Sequence, residues 1–331
     1  MPELRKDPIV GRWVIVNTEN PRTPRDYEIT PHEWKGEKDC PFCYGNEYMT
    51  PPEIEAIRDE NSAPNTPGWK VRVVPNKFPA LRIEGDLDKR PEGMYDMCNG
   101  IGAHEVIIDT PYHYKDICEL TSEEIFLVLS VYKSRMVDLK NDKRFKFILL
   151  FKNVGELAGA SLEHPHSQLI ALPMIPKNVK EELDGSKHFF HYHERCIFCD
   201  IINQERSESE RVLFENQDFI SFCPFFGRFP FEVWILPKKH MAEFQNVCES
   251  QLRALAEILK ATLLRLKKVL SSPDYNYIIH TAPFDYEFCE SYHWHIEIMP
   301  KLIRPAGFEW GSGFYIVPTP PEIAAKILKN E

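Results

Sequence analysis

Two imidazoles and an amide, His164, His166 and Gln168, fall at alternate positions in residues 159–173, GASLEHPHSQLIALP. Side chains on a strand alternate faces with a period of two, so the spacing predicts all three on one face, with Leu169, Ile170 and Leu172 continuing an apolar run. Such a set can hold a metal, attack an electrophile, or satisfy itself by hydrogen bonds inside a polar core.

A second histidine pair in the chain bears on that choice. The first half carries Cys40-Pro-Phe-Cys43, then IDTPYH ending at His113, a helix, FKFILLF, and His164-Pro-His166-Ser-Gln168. The second carries Cys196-Ile-Phe-Cys199, then VWILPKKH ending at His240, a helix, YNYIIH, and His293-Trp-His295-Ile-Glu297. The order of features is the same in both, with 51 positions between His113 and His164 and 53 between His240 and His293. Fixed-order recurrence of this kind is the signature of a duplicated unit.

Each half then offers the four donors a tetrahedral structural zinc requires: Cys40, Cys43, His113 and His164, and Cys196, Cys199, His240 and His293. His295 shares a face with His293 and competes for the second set; the repeat favours His293, which stands where His164 does. A thioredoxin-like redox pair is the other reading of C-x-x-C, and it requires the pair to open a helix, which the pattern does not predict. Cys98, Cys118, Cys223, Cys248 and Cys289 complete the nine cysteines and read as small buried hydrophobes. His188, His191 and His193 read as solvated or core side chains rather than ligands.

With His164 committed to metal, His166 is left one strand repeat further on, beside Gln168. A neutral imidazole attacks phosphorus at neutral pH, and a covalent intermediate divides one hard transfer into two easier ones. Asn153, Gly155, Gly159 and Ser161 supply small polar groups and close backbone approach upstream, as phosphate oxygens require.

The positioning elements are legible too. Thr121-Ser-Glu-Glu124 reads as a capping box opening a helix with Ile125, Val128, Leu129 and Tyr132 on one face. Its counterpart begins near Ser250 and carries Leu252, Leu255, Leu259, Leu263, Leu266 and Leu270. Strands alternating with single long helices predict an α+β unit used twice. The expected division is 1–175, a connector over 174–195, and 190–331. A final helix is expected at Thr319-Pro-Pro-Glu322, with Thr319 as cap, Pro320 in the first turn and Glu322 completing a box.

Composition bounds the partners. The 331-residue chain is 43% hydrophobic and 27% charged, an ordinary globular balance. A net charge of −10 argues against broad binding to nucleic acid. No run predicts a membrane span, and the first residues lack a signal-peptide core, so a cytoplasmic location is expected.

Across about residues 4–327 the chain resembles the galactose-1-phosphate uridylyltransferases, the transferase branch of the histidine-triad superfamily. ELRKDPIVGRWVIV, PRTPRDY, CPFC, VVPNKFPAL, DTPYH, FKNVG, GASLEHPHSQ and PFEVWILPKKH carry the match. Simple histidine-triad hydrolases place a third histidine where this branch, and this chain at Gln168, has glutamine. The resemblance implies two tandem histidine-triad-like halves, each an antiparallel sheet with helices, two Zn²⁺ sites and a homodimer. It also implies ping-pong chemistry: UDP-glucose gives UMP to His166, glucose 1-phosphate leaves, and galactose 1-phosphate collects the UMP.

By the same resemblance Gln168 bonds the phosphoryl oxygens of the intermediate, Gly159 and Ser161 bind the sugar phosphate, and Asn153 binds the nucleotide phosphate region. Asn76 and Phe78 match the nucleoside-binding N-x-F, and Arg22 and Arg25 the paired arginines near the nucleotide. Some members hold iron in the second site through the counterparts of His280 and His295; Cys196 and Cys199 point to zinc here. The C-terminal AGFEWGSGFYIVPTPPE departs from the family's sugar-binding stretch and is similar to plant-type ADP-glucose phosphorylases, which use adenylyl donors and phosphate as acceptor. Base and acceptor therefore stay open between these two enzymes. A noncatalytic zinc-stabilised nucleotide-binding module is the reading from another class.

Overall fold

The structure, a computed structural model, describes residues 1–29 and 39–330. Its first half runs β1 (Glu3–Lys6), β2 (Trp13–Val16), β3 (Glu55–Arg58), β4 (Trp69–Pro75), a hairpin β5 (Arg90–Glu92) and β6 (Tyr95–Met97), then β7 (Ala103–Ile108), α1 (Ser122–Leu139), β8 (Phe147–Val154) and β9 (His166–Leu172). After α2 (Lys177–His193) the second half runs α3 (Ile197–Glu208), β10 (Val212–Glu215), β11 (Phe219–Phe222), β12 (Val233–Pro237), α4 (Glu249–Val269), β13 (Tyr275–His280) and β14 (His295–Pro300). The chain closes with α5 (Gly307–Ser312), β15 (Tyr315–Val317) and α6 (Pro321–Asn330). Among the described residues no helix is long and apolar enough to cross a membrane.

Ten strands make one antiparallel sheet in the order β10-β11-β12-β14-β13-β8-β9-β7-β4-β3. Five come from each half, and the halves are stitched by β13 pairing with β8, Tyr275 opposite Val154. At the far end of the chain β15 adds parallel to β2, so the C-terminal strand returns to the N-terminal hairpin.

One face of this sheet carries α1 and α4. The capping box forms as predicted: Thr121 Oγ1 accepts from the Glu124 amide at 3.2 Å and the Glu124 carboxylate accepts from the Thr121 amide at 2.7 Å. A cap of this type contributes about 1 kcal/mol. Ile125, Val128, Leu129 and Tyr132 are buried, as are Leu252, Leu255, Leu259, Leu263, Leu266 and Leu270, all but Leu270 on helices α1 and α4, in a core shared by both halves. Arg135 of α1 makes two hydrogen bonds of 2.8 Å to Glu105 of β7, pinning helix to sheet in that core.

The opposite face differs between halves. Over the second half α2, α3 and the β1–β2 hairpin bury Ile220, Phe222, Trp234 and Leu236. Over the first half a smaller cluster of Cys40, Phe42, Cys43, Trp69, Val74, Val106 and Ile108 covers the outer strands. Gln168, Phe151 and Asn153 nearer the centre stay half-buried.

Three local expectations are corrected, and the 174–195 connector takes a defined form. β7 ends at Ile108 and β12 at Pro237, so His113 and His240 lie in the loops beyond the strands; β9 and β14 likewise begin after His164 and His293. Residues 174–195 contain the four-and-a-half-turn helix α2, whose Val179 and Leu183 are part of a core. Cys196 caps α3, so the second C-x-x-C does open a helix. The box at Thr319 does not form: Thr319 Oγ1 donates to the Arg22 carbonyl at 2.9 Å, and Glu322 pairs with Arg5 and Arg211 at 2.9 and 3.0 Å.

Candidate active site and metal centres

Both metal-donor sets assemble at loop junctions flanking the sheet. Cys40, Cys43, His113 and His164 bring four ligand atoms within 4.8 Å of one another, all on buried residues, and Cys196, Cys199, His240 and His293 do so with Cys196 and His293 buried and Cys199 and His240 half-buried. Cys43 Sγ lies 3.2 Å from His113 Nδ1 and 3.4 Å from His164 Nδ1; Cys199 Sγ lies 3.5 and 3.6 Å from Nδ1 of His240 and His293. On the far side of these rings, Nε2 of His164, His240 and His293 donates to the carbonyls of Thr110, Cys289 and Pro237 at 2.7, 3.0 and 2.8 Å. That leaves each Nδ1 with its lone pair toward the thiols, the arrangement by which outer hydrogen bonds orient metal-ligating histidines. Burial pushes His164 down to about 3, so its ring is neutral and ready to ligate. The hydrogen bond from the Cys196 thiol is the largest influence holding Cys199 well below the usual thiol range, against the opposing effect of burial. Although Cys196 sits at a helix start, the convergence of two histidines on Cys199 fits a metal centre rather than a redox pair.

His166 opens β9 with its ring 6% exposed. Its Nδ1–H donates to the His164 carbonyl at 2.8 Å, which leaves the Nε2 lone pair free. Burial, with the nearby Lys152 ammonium as a smaller contributor, lowers its affinity for a proton. His166 is therefore a neutral imidazole with a fixed tautomer, the state a nucleophile needs. Phe42 braces it edge-on at 5.2 Å between centroids.

Behind the ring lies a set of charges absent from the sequence reading. Lys152 of β8 donates to the His166 carbonyl at 3.0 Å and to Asp109 at 2.5 Å, the pair being 1% and 0% exposed. Asp109 also accepts from Ser167 Oγ at 3.2 Å, and Ser167 meets the Tyr132 hydroxyl of α1. Lys152 alternates with Phe151 and Asn153 inside an apolar run, and its distance in sequence from Asp109 left no local signal of the pairing.

Gln168 points to the same face as His166, two positions along β9. Asn153 accepts from Asn276 of β13 at 2.8 Å, so both halves contribute to this wall. Gly155 has φ +83° and Gly159 φ +85°, and Ser161 is exposed at the loop rim. Asn76 accepts from the Phe78 amide at 2.9 Å, and the Phe78 ring is 83% exposed, a free face of the kind a base stacks on. The Arg22 amide donates to the Pro318 carbonyl at 3.0 Å and its guanidinium covers Tyr27. Among the described residues neither arginine shares a hydrogen bond with His166, Gln168 or Asn153.

The second half reproduces the tautomer device and closes it. His295 Nδ1 donates to the His293 carbonyl at 3.1 Å, as His166 does to His164. Its ring, however, is stacked on His280 at 4.5 Å and on Trp234 at 4.9 Å. Glu182, reaching in from α2, pairs with His280 at 3.1 Å, while Arg228 takes Glu297, the counterpart of Gln168. Glu182, His280 and His295 form a third cluster with ligand atoms within 4.8 Å, separate from the four Cys/His donors. Cys248, expected in the core, is exposed at the start of α4, and His188, His191 and His193 are exposed on α2.

Residues 1–176 match the model of the galactose-1-phosphate uridyl transferase N-terminal domain and residues 182–319 that of its C-terminal domain. An ADP-glucose phosphorylase from Arabidopsis thaliana is 36% identical over 337 residues, covering 99% of this chain and 93% of its own. A galactose-1-phosphate uridylyltransferase from Thermotoga maritima is 27% identical over 339 residues, covering 100% and 98%. The crystal structure of an ADP-glucose phosphorylase from Arabidopsis thaliana with bound ADP-glucose superimposes with a TM-score of 0.84 at 34% identity, over 100% of this chain and 99% of that one.

Proposed function

The chain belongs to the galactose-1-phosphate uridyl transferase family and is a nucleotidyltransferase of that family; on that premise we propose that it moves a nucleotidyl group from a nucleoside-diphosphate glucose through a covalent adduct on His166. The observation that carries this reading is the His166 tautomer. With Nδ1–H held by the His164 carbonyl, Nε2 is the free nucleophilic atom.

Nε2 attacks the α-phosphorus and the bond to the β-phosphate oxygen breaks, so glucose 1-phosphate leaves with that electron pair. The cationic ring of the adduct keeps its Nδ1–H, and the His164 carbonyl stabilises it. In the second step an acceptor phosphate oxygen attacks the same phosphorus and the P–Nε2 bond breaks, returning neutral His166. Gln168 donates to the phosphoryl oxygens through both steps; an amide cannot deliver a proton that would assist water. Asn153, Gly159 and Ser161 would receive the phosphates, and Asn76 and Phe78 the nucleoside. Zinc in the Cys40/Cys43/His113/His164 and Cys196/Cys199/His240/His293 sets supplies structural cross-links, the first fixing the segment that presents His166.

For the donor, the higher identity to the ADP-glucose phosphorylase favours ADP-glucose, with inorganic phosphate as acceptor and ADP as product. The second reading is UDP-glucose with galactose 1-phosphate as acceptor, favoured by the family models and the Thermotoga maritima relative. Intact mass after mixing the protein with each nucleotide sugar alone tests both. An AMP adduct discharged by phosphate supports the first; a UMP adduct discharged by galactose 1-phosphate supports the second. An adduct that persists in His166→Ala overturns His166 as the nucleophile, and no adduct from either overturns the covalent proposal and leaves a zinc-stabilised nucleotide-binding fold.

A further inference from the structure

Between Asn76 and Gln168 stands a side chain with no role in the chemistry described so far. His104 lies on β7, two positions before Val106, which pairs with Gln168 across the ladder. Its Nδ1 accepts the Ala80 amide at 3.1 Å, and its Nε2 lies 2.8 Å from Gln168 Oε1 and 3.1 Å from Asn76 Nδ2. A backbone N–H can only donate, so Nδ1 carries the lone pair and the hydrogen of the neutral ring is on Nε2. Nε2–H then has one acceptor among these neighbours, the Gln168 carbonyl oxygen.

We propose that His104 is a positioning residue that sets which way the Gln168 amide faces. With Oε1 tied to His104, the Gln168 NH₂ group is turned toward the phosphoryl oxygens on His166. In the flipped amide the carbonyl oxygen would meet those oxygens and repel them. The same tautomer has a second effect: Nε2–H cannot accept from Asn76, whose own orientation is fixed by the Phe78 amide on Oδ1. The Asn76 N–H groups therefore stay available to a nucleotide oxygen. His104 thus aims the Gln168 amide and leaves the Asn76 amide, aimed by Phe78, unengaged, so that both are donors where negative charge collects.

This inference rests on the reading of His166 as nucleophile, and its test separates the two. The rate of adduct formation on His166 is measured with ADP-glucose and UDP-glucose for a double-mutant cycle on His104 and Gln168. Loss of one oriented donor predicts a fall of about a hundredfold for Gln168→Ala and about tenfold for His104→Ala, with KM little changed. In the Gln168→Ala background His104→Ala is expected to cost less than about twofold, since there is no longer an amide to aim. His104→Gln keeps a donor and is expected within about threefold of wild type, whereas His104→Glu, of the same shape but without one, is not. A tenfold loss that persists in the double variant, or equal rates for the Gln and Glu variants, overturns the proposal.

The tautomer is read independently from ¹⁵N spectra of histidine-labelled protein without ligand. Hydrogen on Nε2 of His104 is expected, and hydrogen on Nδ1 overturns the proposal whatever the enzyme catalyses. Absence of any adduct in the wild type overturns the nucleophile reading, and the role given to Gln168 falls with it.

Discussion

The Lys152 ammonium donates to the backbone carbonyl of His166 at 3.0 Å, across two adjacent strands, while paired with Asp109 at 2.5 Å. The charge therefore fixes the start of β9 from the helix side, leaving the opposite face to the His166 ring. Removing one member of a fully buried ion pair leaves the other uncompensated, which costs about 3–5 kcal/mol. Lys152→Met should lower the urea-unfolding free energy by that amount and slow adduct formation. Adding Asp109→Asn should recover part of the stability, because the stranded carboxylate is gone. Equal stability of Lys152→Met and wild type would remove this role.

The two glycines of the loop after β8 should respond differently to a methyl group. A Cβ at Gly155 would lie 1.9 Å from the Asp274 carboxylate, whose Oδ2 accepts the Leu157 amide at 2.7 Å; at Gly159 it meets only Asn153 Nδ2, at 3.9 Å. An alanine at Gly159 costs about 1–2 kcal/mol for its left-handed backbone, and one at Gly155, whose ψ of 165° puts it in a region populated almost only by glycine, about 1–3 kcal/mol. Gly155→Ala must in addition displace Asp274, so chemical denaturation should rank it clearly below Gly159→Ala.

Metal analysis should find two zinc ions per chain, and Cys43→Ser or Cys199→Ser should each lose one. Since ligand binding to such sites is also folding free energy, each loss should lower Tm by about 10 °C or more. Cys43→Ser should also abolish adduct formation, because His164 carries the carbonyl that holds the His166 tautomer. An unchanged Tm after chelation would contradict the structural assignment.

The closed cluster in the second half predicts an alkaline loss of stability. Glu182 and Glu297 raise His280 to about 10 against the opposing effect of burial. A group raised in the folded state stabilises fully below its unfolded value, about 6.5, and that contribution is lost as pH rises through the folded value. Wild type should therefore lose about 3 kcal/mol or more between pH 6.5 and 10, and His280→Gln, less stable at pH 6, should show a flatter profile. Parallel profiles for the two proteins would place His280 outside the ion-pair network.

Much of the site was legible because its information is local. HPHSQ places His166 and Gln168 on one face through strand alternation, and the helix of Thr121 is announced by its own capping box. Where a side chain had two uses, sequence alone misled: Thr319 and Glu322 spell a box but are taken by Arg22, Arg5 and Arg211. Cys248 reads as buried from its type, yet its place at a helix start leaves it exposed. His104 and Lys152 carried no signal, since each acquires meaning only from partners on other strands.

By itself the sequence determined the duplication, the two four-donor sets and the alternate spacing of His164, His166 and Gln168, all of which are matters of residue type and covalent spacing. Only the tertiary structure decided that β8 and β13 fuse the halves into one sheet, that α2 and Arg228 close the second histidine site, and that His104 stands 2.8 Å from a glutamine 64 residues away. The physical reason is that alternation and capping act within a few residues. Strand order, and which face of a sheet is covered, are settled by the burial of apolar surface between segments far apart in the chain.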